Sequence, residues 1–262
     1  MPYICSICNS ITQNFQLSCP DCGQWNSLRK HHGIIIDPSS QPVPLPRIES
    51  FVVPRIRTRI DQLDILLGGG FVPGSSSLII GPPGAGKSTL VMQVLKKMNT
   101  PSLYVTGEES IQQLKIRADR LRINSQNMLV LFETNVNTVL AHVKQTSLKV
   151  LVIDSIQTMY SNASNALAGS TTQIRKCSYV LRRLAQQRNL ILILVGQVTK
   201  TKAAAGPKLL EHAVDVVLQL DSPDDQAHHR ILNATKNRFG STAPRCMLYM
   251  RKSGLVFQGI NK

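Results

Sequence analysis

The stretch SLIIGPPGAGKST, residues 77–89, joins an apolar run to a glycine-rich turn and then to a segment with helical character. Residues 81–88 fit the pattern G-x-x-x-x-G-K-[ST], in which glycines let backbone N–H groups converge on phosphates. A helix that starts directly after the turn adds the positive end of its dipole. The stretch therefore predicts a P-loop that binds ATP, with Lys87 on the β- and γ-phosphates and Ser88 on Mg²⁺. The predicted nucleotide-binding residues are Gly81, Pro82, Pro83, Gly84, Ala85, Gly86, Lys87, Ser88 and Thr89.

Short apolar runs alternate with longer helical segments after this stretch. The predicted strands are residues 77–80, 102–106, 128–132, 150–153, 190–195, 214–220, 230–237 and 245–251, and a hairpin turn follows at Ser253-Gly254. The predicted helices are residues 87–98, 110–121, 136–145 and 172–188. The first six strands are almost continuously apolar, which is typical of strands buried on both faces of a parallel sheet. The alternation predicts an α/β domain with a mostly parallel, doubly wound sheet.

Acidic residues follow two of these strands. VLVID, residues 150–154, ends in Asp154, which we expect to support the Mg²⁺ ion beside the phosphates. TGEES, residues 106–110, offers two carboxylates, and an acidic helix N-terminus is the alternative interpretation. Both interpretations can hold, one for each glutamate. We prefer Glu108 as the group that orients the attacking water, because it lies nearer the strand end, where the crevice of such a sheet opens.

The first thirty residues contain two C-x-x-C pairs, a spacing that predicts a tetrahedral Zn²⁺ site in a zinc ribbon. So short a segment cannot build its own core, so the metal should supply its folding energy. An iron site of the same geometry and disulfides are the alternatives, and disulfides are rare in the cytosol. We expect Trp25 and Leu28 to pack against the metal-binding turns. The predicted zinc ligands are Cys5, Cys8, Cys19 and Cys22. Cys177 and Cys246 lie in apolar settings and are expected to be buried thiols.

Length and composition favour one α/β domain with a small appendage. The chain has 262 residues, of which 42% are hydrophobic. Residues 1–28 form the predicted zinc ribbon, residues 29–55 a linker in which Pro, Ser and Gln oppose regular packing, and residues 56–262 the ATPase domain.

The charge balance indicates the kind of partner. Thirty Lys and Arg against 15 Asp and Glu give a formal net charge of +15, which favours nucleic acid first and anionic membrane second. A solvated basic surface is the alternative. Residues 1–10 lack the pattern of a secretory signal, and the longest strongly apolar run, residues 190–195, is far too short to span a membrane. We therefore expect a cytoplasmic protein that does not bind a membrane.

The chain also resembles the bacterial RadA (Sms) family of DNA-repair ATPases, which are relatives of RecA and of hexameric DnaB-type helicases. The resemblance runs in the family's order along nearly the whole chain, and its last stretch is the family's own signature. The stretches are CPDCGQWNS (19–27), RIDQLDILLGGGFVPGS (59–75), GPPGAGKST (81–89), YVTGEES (104–110), VIDSIQTMYS (152–161), AGPKLLEHAVDVVL (205–218) and KNRFGS (236–241).

The resemblance implies a RecA-like, ring-forming, DNA-dependent ATPase. Such a protein would form a hexamer, bind single-stranded DNA and drive branch migration of recombination intermediates alongside RecA. By similarity, Glu108 matches the catalytic glutamate, and Gln197 occupies the position of a polar sensor of the γ-phosphate, where RadA proteins usually carry His. Lys236 and Arg238 of the signature are expected to reach the ATP of a neighbouring subunit or to line a DNA channel. A basic turn that Gly240 closes is the alternative.

Two segments are candidates for DNA contact, residues 161–171 and residues 199–207, the second with Lys200 and Lys202. Neither contains an aromatic residue after Tyr160, so we expect phosphate contacts to dominate over base stacking. The following helical segment adds positive charge, for which an ordinary solvated helix face is the alternative. Its basic residues are Arg175, Lys176, Arg182 and Arg183.

One departure from the family concerns length. The family normally continues into a domain that resembles the Lon protease, whereas this chain ends at Lys262. We expect its absence to weaken the ring and the branch-migration activity. Two alternative functions remain, a RecA-like ATP-binding regulatory switch and a truncated, weakly active RadA form.

Overall fold

The computed structural model describes residues 3–7, 11–12, 14–30, 43–47, 54–197, 210–222 and 228–261. The chain divides into two compact units, Met1–Val52 and Val53–Lys262. The bounds of the predicted linker stay a prediction, because much of residues 29–55 lies outside the described ranges.

The described part of the small unit contains a three-stranded antiparallel sheet. Its strands are β1 (Tyr3–Cys5), β2 (Ile11–Thr12) and β3 (Leu28–Lys30), with β1 in the middle. Cys5, Cys19 and Leu28 fill the buried space, as expected for Leu28. The prediction for Trp25 is wrong, since its side chain is 67% exposed. The two cysteines and Leu28 occupy the small interior, and the indole remains in solvent.

The large unit is built on one sheet, which has nine strands within the described residues. They are β4 (Ser76–Gly81), β5 (Ser102–Thr106), β6 (Met128–Phe132), β7 (Val150–Asp154), β8 (Ile191–Gln197), β9 (Val216–Asp221), β10 (His229–Asn237), β11 (Arg245–Arg251) and β12 (Gly254–Asn261). The order across the sheet is β12-β11-β10-β9-β4-β8-β7-β5-β6. The six strands from β9 to β6 are parallel, and β10 to β12 extend the sheet as antiparallel hairpins. The predicted mostly parallel α/β sheet and the turn before Gly254 are confirmed.

Helices cover both faces of this sheet. They are α1 (Asp61–Leu66), α2 (Lys87–Met98), α3 (Ile111–Arg120), α4 (Val136–Gln145) and α5 (Thr171–Arg188). Along β7, Val150 and Val152 pack with α1, α2 and α3, whereas Leu151 and Ile153 pack with α4 and α5. The apolar runs of the parallel strands thus reflect burial on both faces. Among the helices that the structure describes, none combines the length and the apolar character needed to span a membrane.

Strand β6 departs from the prediction of burial on both faces. Its residues are only half-buried or exposed, and Leu129 and Phe132 are 46% and 53% exposed. The physical reason is position, because among the described strands β6 is the outermost and pairs only with β5.

Each half of the core contains one of the two cysteines outside the small unit. Cys177 on α5 and Cys246 on β11 are both 0% exposed, as predicted for buried thiols. Burial raises the pKa of Cys177 to about 11 and that of Cys246 to about 12, so both remain protonated at neutral pH.

The short helix α1 was not predicted, and a buried carboxylate fixes its start. The backbone N–H and the hydroxyl of Thr58 donate to Oδ1 of Asp64 at 2.7 and 2.8 Å, and Nε of Arg57 donates to Oδ2 at 3.3 Å. Asp64 is 3% exposed, whereas Asp61 in the same helix is exposed and contacts Arg57 only at the surface. Asp64 therefore joins the segment before α1 to the helix itself.

Replacing Asp64 with Ala should lower the free energy of unfolding by about 2–4 kcal/mol, because the Thr58 donors lose their buried acceptor. Urea unfolding followed by circular dichroism measures the change. Asp61→Ala is the matched control, since it removes a carboxylate from the same helix and the same Arg57, and it should leave stability nearly unchanged. Equal losses in the two variants would contradict the structural role of Asp64.

Candidate functional site

Polar residues gather where the central parallel strands end. The register places Gly81 of β4 beside Gln197 of β8, and Asp154 of β7 beside Thr106 of β5 and Val195 of β8. These strand ends border a cleft of about 370 Å³. Of the residues predicted from the sequence, the cleft brings together Pro83, Gly84, Gly86, Lys87, Ser88, Thr89, Glu108, Asp154 and Gln197.

The glycine-rich turn leads from β4 into α2 with a backbone that only glycine suits. Gly84 and Gly86 have φ values of 76° and 103°, in the left-handed region. A Cβ at position 86 would lie 2.5 Å from Cε of Met250, so the turn approaches β11 closely. Gly86 is the N-cap of α2 and provides no side-chain cap, which leaves the first N–H groups of the helix available to an anion.

Lys87 is the first residue of α2, directly after the turn, and is 7% exposed. Its Nζ donates to the carbonyl oxygens of Gly81 and Pro82, both at 2.9 Å. Burial lowers the pKa of Lys87, and the charges of Asp154 and Glu108 oppose that shift. The ammonium group therefore faces both acidic residues of the cleft.

The hydroxyl of Tyr104, on β5, holds one of the two predicted Mg²⁺ ligands. It donates a hydrogen bond to Oδ2 of Asp154, and Ser88, the other predicted ligand, lines the same cleft as Asp154. Burial, reinforced by the charge of Asp154, raises the pKa of Tyr104 well above its usual value, which keeps the hydroxyl protonated. The hydroxyl of Ser88 and the carboxylate of Asp154 in one cleft form an oxygen donor set that fits Mg²⁺.

The two glutamates after β5 have different partners. Glu108 accepts hydrogen bonds from the hydroxyl of Ser155 at 2.5 Å and from Nε2 of Gln197 at 3.1 Å to each carboxylate oxygen. Glu109 instead forms an ion pair with Arg117 on α3, and Ser110 caps that helix through a capping box. Glu108 is therefore the glutamate that Gln197 orients at the end of β8.

Arg230 is a neighbour of the glycine-rich turn that the sequence did not reveal. It lies on β10, is 8% exposed, and donates from Nε to the carbonyl oxygen of Ala85 at 3.1 Å. Its Nη1 donates to Oγ of Ser222 at 3.1 Å and to the carbonyl oxygen of His229 at 2.7 Å. Arg230 thus holds one carbonyl of the turn from the antiparallel part of the sheet.

The signature KNRFG, residues 236–240, lies level with the start of β4, whereas the glycine-rich turn follows the end of that strand. Asn237 pairs with Val216, which in turn pairs with Ser77 at the start of β4. Arg238 forms an ion pair of 3.1 Å with Asp215, whose other carboxylate oxygen accepts from the backbone N–H and the hydroxyl of Ser76 at 2.9 and 2.8 Å. The two cations of the signature are therefore about five residues, or roughly 16 Å, along the strand direction from the phosphate loop of the same chain.

Lys236, Asn237 and Gly240 fix the backbone of the signature segment through contacts with neighbouring segments. Lys236 donates from Nζ to the carbonyl oxygens of Glu211 at 2.8 Å and His212 at 3.1 Å, and burial with the nearby Arg238 lowers its pKa. Asn237 donates to the carbonyl oxygen of Leu66 at 3.0 Å. A Cβ at Gly240 would lie 3.0 Å from Cα of Gly68, so the signature packs on the glycine-rich loop after α1.

Gln173 of α5 forms hydrogen bonds with the first candidate DNA segment, residues 161–171. This residue is 1% exposed, accepts from the N–H of Ser161 at 2.9 Å and donates to the carbonyl oxygen of Ala166 at 2.9 Å. Lys176 donates to the carbonyl oxygen of Ala163. The second candidate segment, residues 199–207, and its two lysines lie outside the described residues.

Helix α5 presents an exposed stripe in which an aromatic residue separates two arginines. Arg175, Tyr179 and Arg183 recur every fourth residue, and all three are exposed, Tyr179 at 59%. Arg182 is half-buried instead. Helical spacing in the printed sequence is the signal that could have identified Tyr179.

In the small unit, three of the four predicted metal ligands converge. The sulfur atoms of Cys5, Cys19 and Cys22 all lie within 4.8 Å of one another, and the N–H of Ile7 donates to Sγ of Cys5 at 3.4 Å. Cys8 lies outside the described residues. Converging sulfur donors with a backbone N–H on one of them fit a zinc-thiolate site.

Comparisons with known proteins agree with this geometry. The family model described as an AAA domain matches residues 41–203. Proteins named DNA repair protein RadA are 40% identical in Listeria monocytogenes and 38% identical in Bacillus subtilis, each over 97% of this chain. The chain spans 58% of the length of these relatives.

Solved structures with little sequence identity share the fold. The RadB recombinase has a TM-score of 0.59 at 24% identity, and the match covers 76% of this chain and 98% of the recombinase chain. A KaiC-like protein from Pyrococcus horikoshii has a TM-score of 0.65 at 23% identity, and the match covers 79% of this chain and 100% of the KaiC-like chain. These likenesses confirm the predicted RecA-like fold, and the identity to the curated relatives confirms the resemblance to the RadA family. The chain belongs to the family of the AAA domain, whose model matches more than half of it.

Proposed function

We propose that this chain is a DNA-dependent ATPase of recombinational DNA repair, acting in the cytoplasm. It would bind single-stranded DNA and promote branch migration of recombination intermediates together with RecA. The observation that carries the proposal is the single cleft that holds Lys87, Ser88, Asp154, Glu108 and Gln197. A phosphate-binding turn, an oxygen donor set for Mg²⁺ and an oriented carboxylate are the parts that phosphoryl transfer to water requires.

Each residue of the cleft has a distinct task in this proposal. Lys87 and the first N–H groups of α2 bind the β- and γ-phosphates of ATP, and Ser88 and Asp154 hold Mg²⁺, which neutralises charge on the phosphates. Glu108 orients the attacking water and accepts its proton. Gln197 holds the Glu108 carboxylate and responds to the γ-phosphate, since it lies at the end of the strand beside the phosphate loop.

Lys236 and Arg238 act on the nucleotide of a second subunit in this proposal. In their own chain they lie at the far end of the sheet from the phosphate loop, so they cannot reach the nucleotide of the same subunit. A closed ring of identical subunits would bring this end of one chain to the cleft of the next. There the cations would stabilise charge that develops on the phosphates, as arginine fingers do. The proposed assembly is a hexameric homo-oligomer.

The stripe on α5 supports DNA binding. Arg175 and Arg183 can contact phosphates, and the exposed ring of Tyr179 between them can stack on a base. The expectation that phosphate contacts would dominate over base stacking was based on the two loop segments, and helix α5 adds an aromatic residue to the candidate surface. The formal charge of +15 favours the same kind of partner.

Lys87→Ala should reduce ATP hydrolysis to background, because the phosphates lose their central cation. The wild-type rate should rise when single-stranded DNA is added. Release of inorganic phosphate with and without DNA, measured beside the mass of the assembly in solution, tests both statements. Normal hydrolysis by Lys87→Ala would refute the proposed site. A wild-type rate that does not change when single-stranded DNA is added would favour the regulatory-switch alternative.

Binding of single-stranded DNA should weaken steeply with salt, because the protein displaces counterions from phosphates. Replacing both Arg175 and Arg183 with Gln should reduce the slope of log affinity against log salt by about 1.4, from two lost phosphate contacts. Fluorescence anisotropy of a labelled oligonucleotide at several salt concentrations measures the slope.

The matched control replaces Lys97 and Lys115 with Gln. These lysines are exposed on α2 and α3, which cover the opposite face of the sheet from α5. Their removal lowers the net charge by the same amount and should leave the slope unchanged. An equal effect in both double variants would contradict a DNA surface on α5.

We also propose that the small unit binds one Zn²⁺ through Cys5, Cys8, Cys19 and Cys22. A chelator should therefore remove the metal and unfold residues 1–28 while the large unit stays folded. Elemental analysis and limited proteolysis measure the two effects. Cys22→Ser should lower the zinc content, whereas Cys177→Ala, which removes a thiol from the large unit, should not. If elemental analysis finds no zinc in the purified protein, the proposed metal site is wrong.

A further inference from the structure

The two predicted Mg²⁺ ligands come from different elements, and a buried side chain holds one of them. Ser88 lies in α2 and Asp154 ends β7. Tyr104 lies on β5, next to β7, and is 1% exposed. We propose that Tyr104 is a positioning residue whose hydroxyl holds the carboxylate of Asp154 in the orientation that Mg²⁺ binding with Ser88 requires. The inference rests on the proposed function, since it concerns the metal of the same cleft.

The strand register explains why a residue in the middle of β5 reaches the end of β7. Tyr104 pairs with Val152, and Asp154 follows two residues later on the same face of the sheet. Two residues along a strand span about 7 Å, which is close to the length of a tyrosine side chain. The ring runs along that face, packed in the core with α2, and ends at the carboxylate.

The hydrogen bond restricts the carboxylate of Asp154. Tyr104 donates to Oδ2, so that oxygen has a fixed direction and the carboxylate plane cannot turn freely. Ser88, the second ligand, lines the same cleft as the oriented carboxylate. Mg²⁺ demands near-ideal octahedral geometry, and loss of a group that orients a metal ligand typically costs 10–100-fold in metal affinity.

Tyr104→Phe removes the hydroxyl and keeps the ring in the core. Binding of a fluorescent, non-hydrolysable ATP analogue is measured in EDTA and across a Mg²⁺ titration. The affinity in EDTA should stay within about twofold, because the phosphate loop is intact, whereas the Mg²⁺ concentration at half-saturation should rise about 10–100-fold. Electron paramagnetic resonance of Mn²⁺ with the same analogue gives a second readout of the metal. Thermal unfolding verifies that the variant folds.

Ser102→Ala is the matched control. It removes another buried hydroxyl from β5, at the far end of the strand, where Oγ donates to the carbonyl oxygen of Asn127 at 3.2 Å. Its Mg²⁺ midpoint should equal that of the wild type. In an Asp154→Ala background, Tyr104→Phe should cause little further shift, because Tyr104 acts mainly through Asp154.

The outcomes separate the inference from the proposed function. A wild-type chain that binds the analogue neither in EDTA nor with Mg²⁺ would refute the proposed function and the inference with it. Wild-type binding with an unchanged Mg²⁺ midpoint in Tyr104→Phe would overturn the inference alone. So would an equal loss of affinity with and without Mg²⁺, which is the result of a merely structural tyrosine.

Discussion

The carboxyl ends of β4, β8, β7 and β5 meet at one edge of the sheet, and the site depends on this register. Gly81, Gln197, Asp154 and Thr106 belong to segments far apart in the chain, and the parallel hydrogen-bond ladder brings them to one edge of the sheet. A slip of one residue would turn Asp154 to the opposite face. Apolar packing on both faces prevents such a slip, because Val152 and Ile153 are fully buried against different layers of helices.

Charge is balanced locally around the cleft. The Lys87 ammonium lies among carbonyl oxygens and faces Asp154 and Glu108, while Arg117 pairs with Glu109. Neutral donors complete the arrangement, because Ser155 and Gln197 satisfy Glu108, and Tyr104 satisfies Asp154. A buried charge without such partners would be costly, so each side chain is held in one orientation. The result is a preorganised set of groups around the space for a phosphate chain.

Local patterns predicted most of the fold and the main residues of the site, and the omissions have physical causes. The helix of residues 87–98 and the strand of residues 102–106 were predicted at their observed bounds, because apolar periodicity and the glycine-rich turn are local signals. Helix α1 has six residues and no side-chain cap at Ile60, so it carries little local signal. The exposure of β6 follows from strand order, which single segments do not encode. Tyr104 and Arg230 were missed because their partners lie on other strands.

The signature KNRFG unites two kinds of residue in one short stretch. Asn237 and Gly240 make the turn fit the loop after α1, and Arg55 ties both segments by donating to the carbonyl oxygens of Leu67 at 3.0 Å and Phe239 at 2.8 Å. Lys236 and Arg238 carry the cations, and Lys236 also belongs to the first kind, because its Nζ donates to the carbonyl oxygens of Glu211 and His212. If Lys236 and Arg238 act as proposed, a mutational scan of this stretch would therefore yield inactive alleles of two origins, some misfolded and some folded but defective. Separation-of-function alleles should be sought at Arg238, whose side chain is 58% exposed, rather than at the glycine.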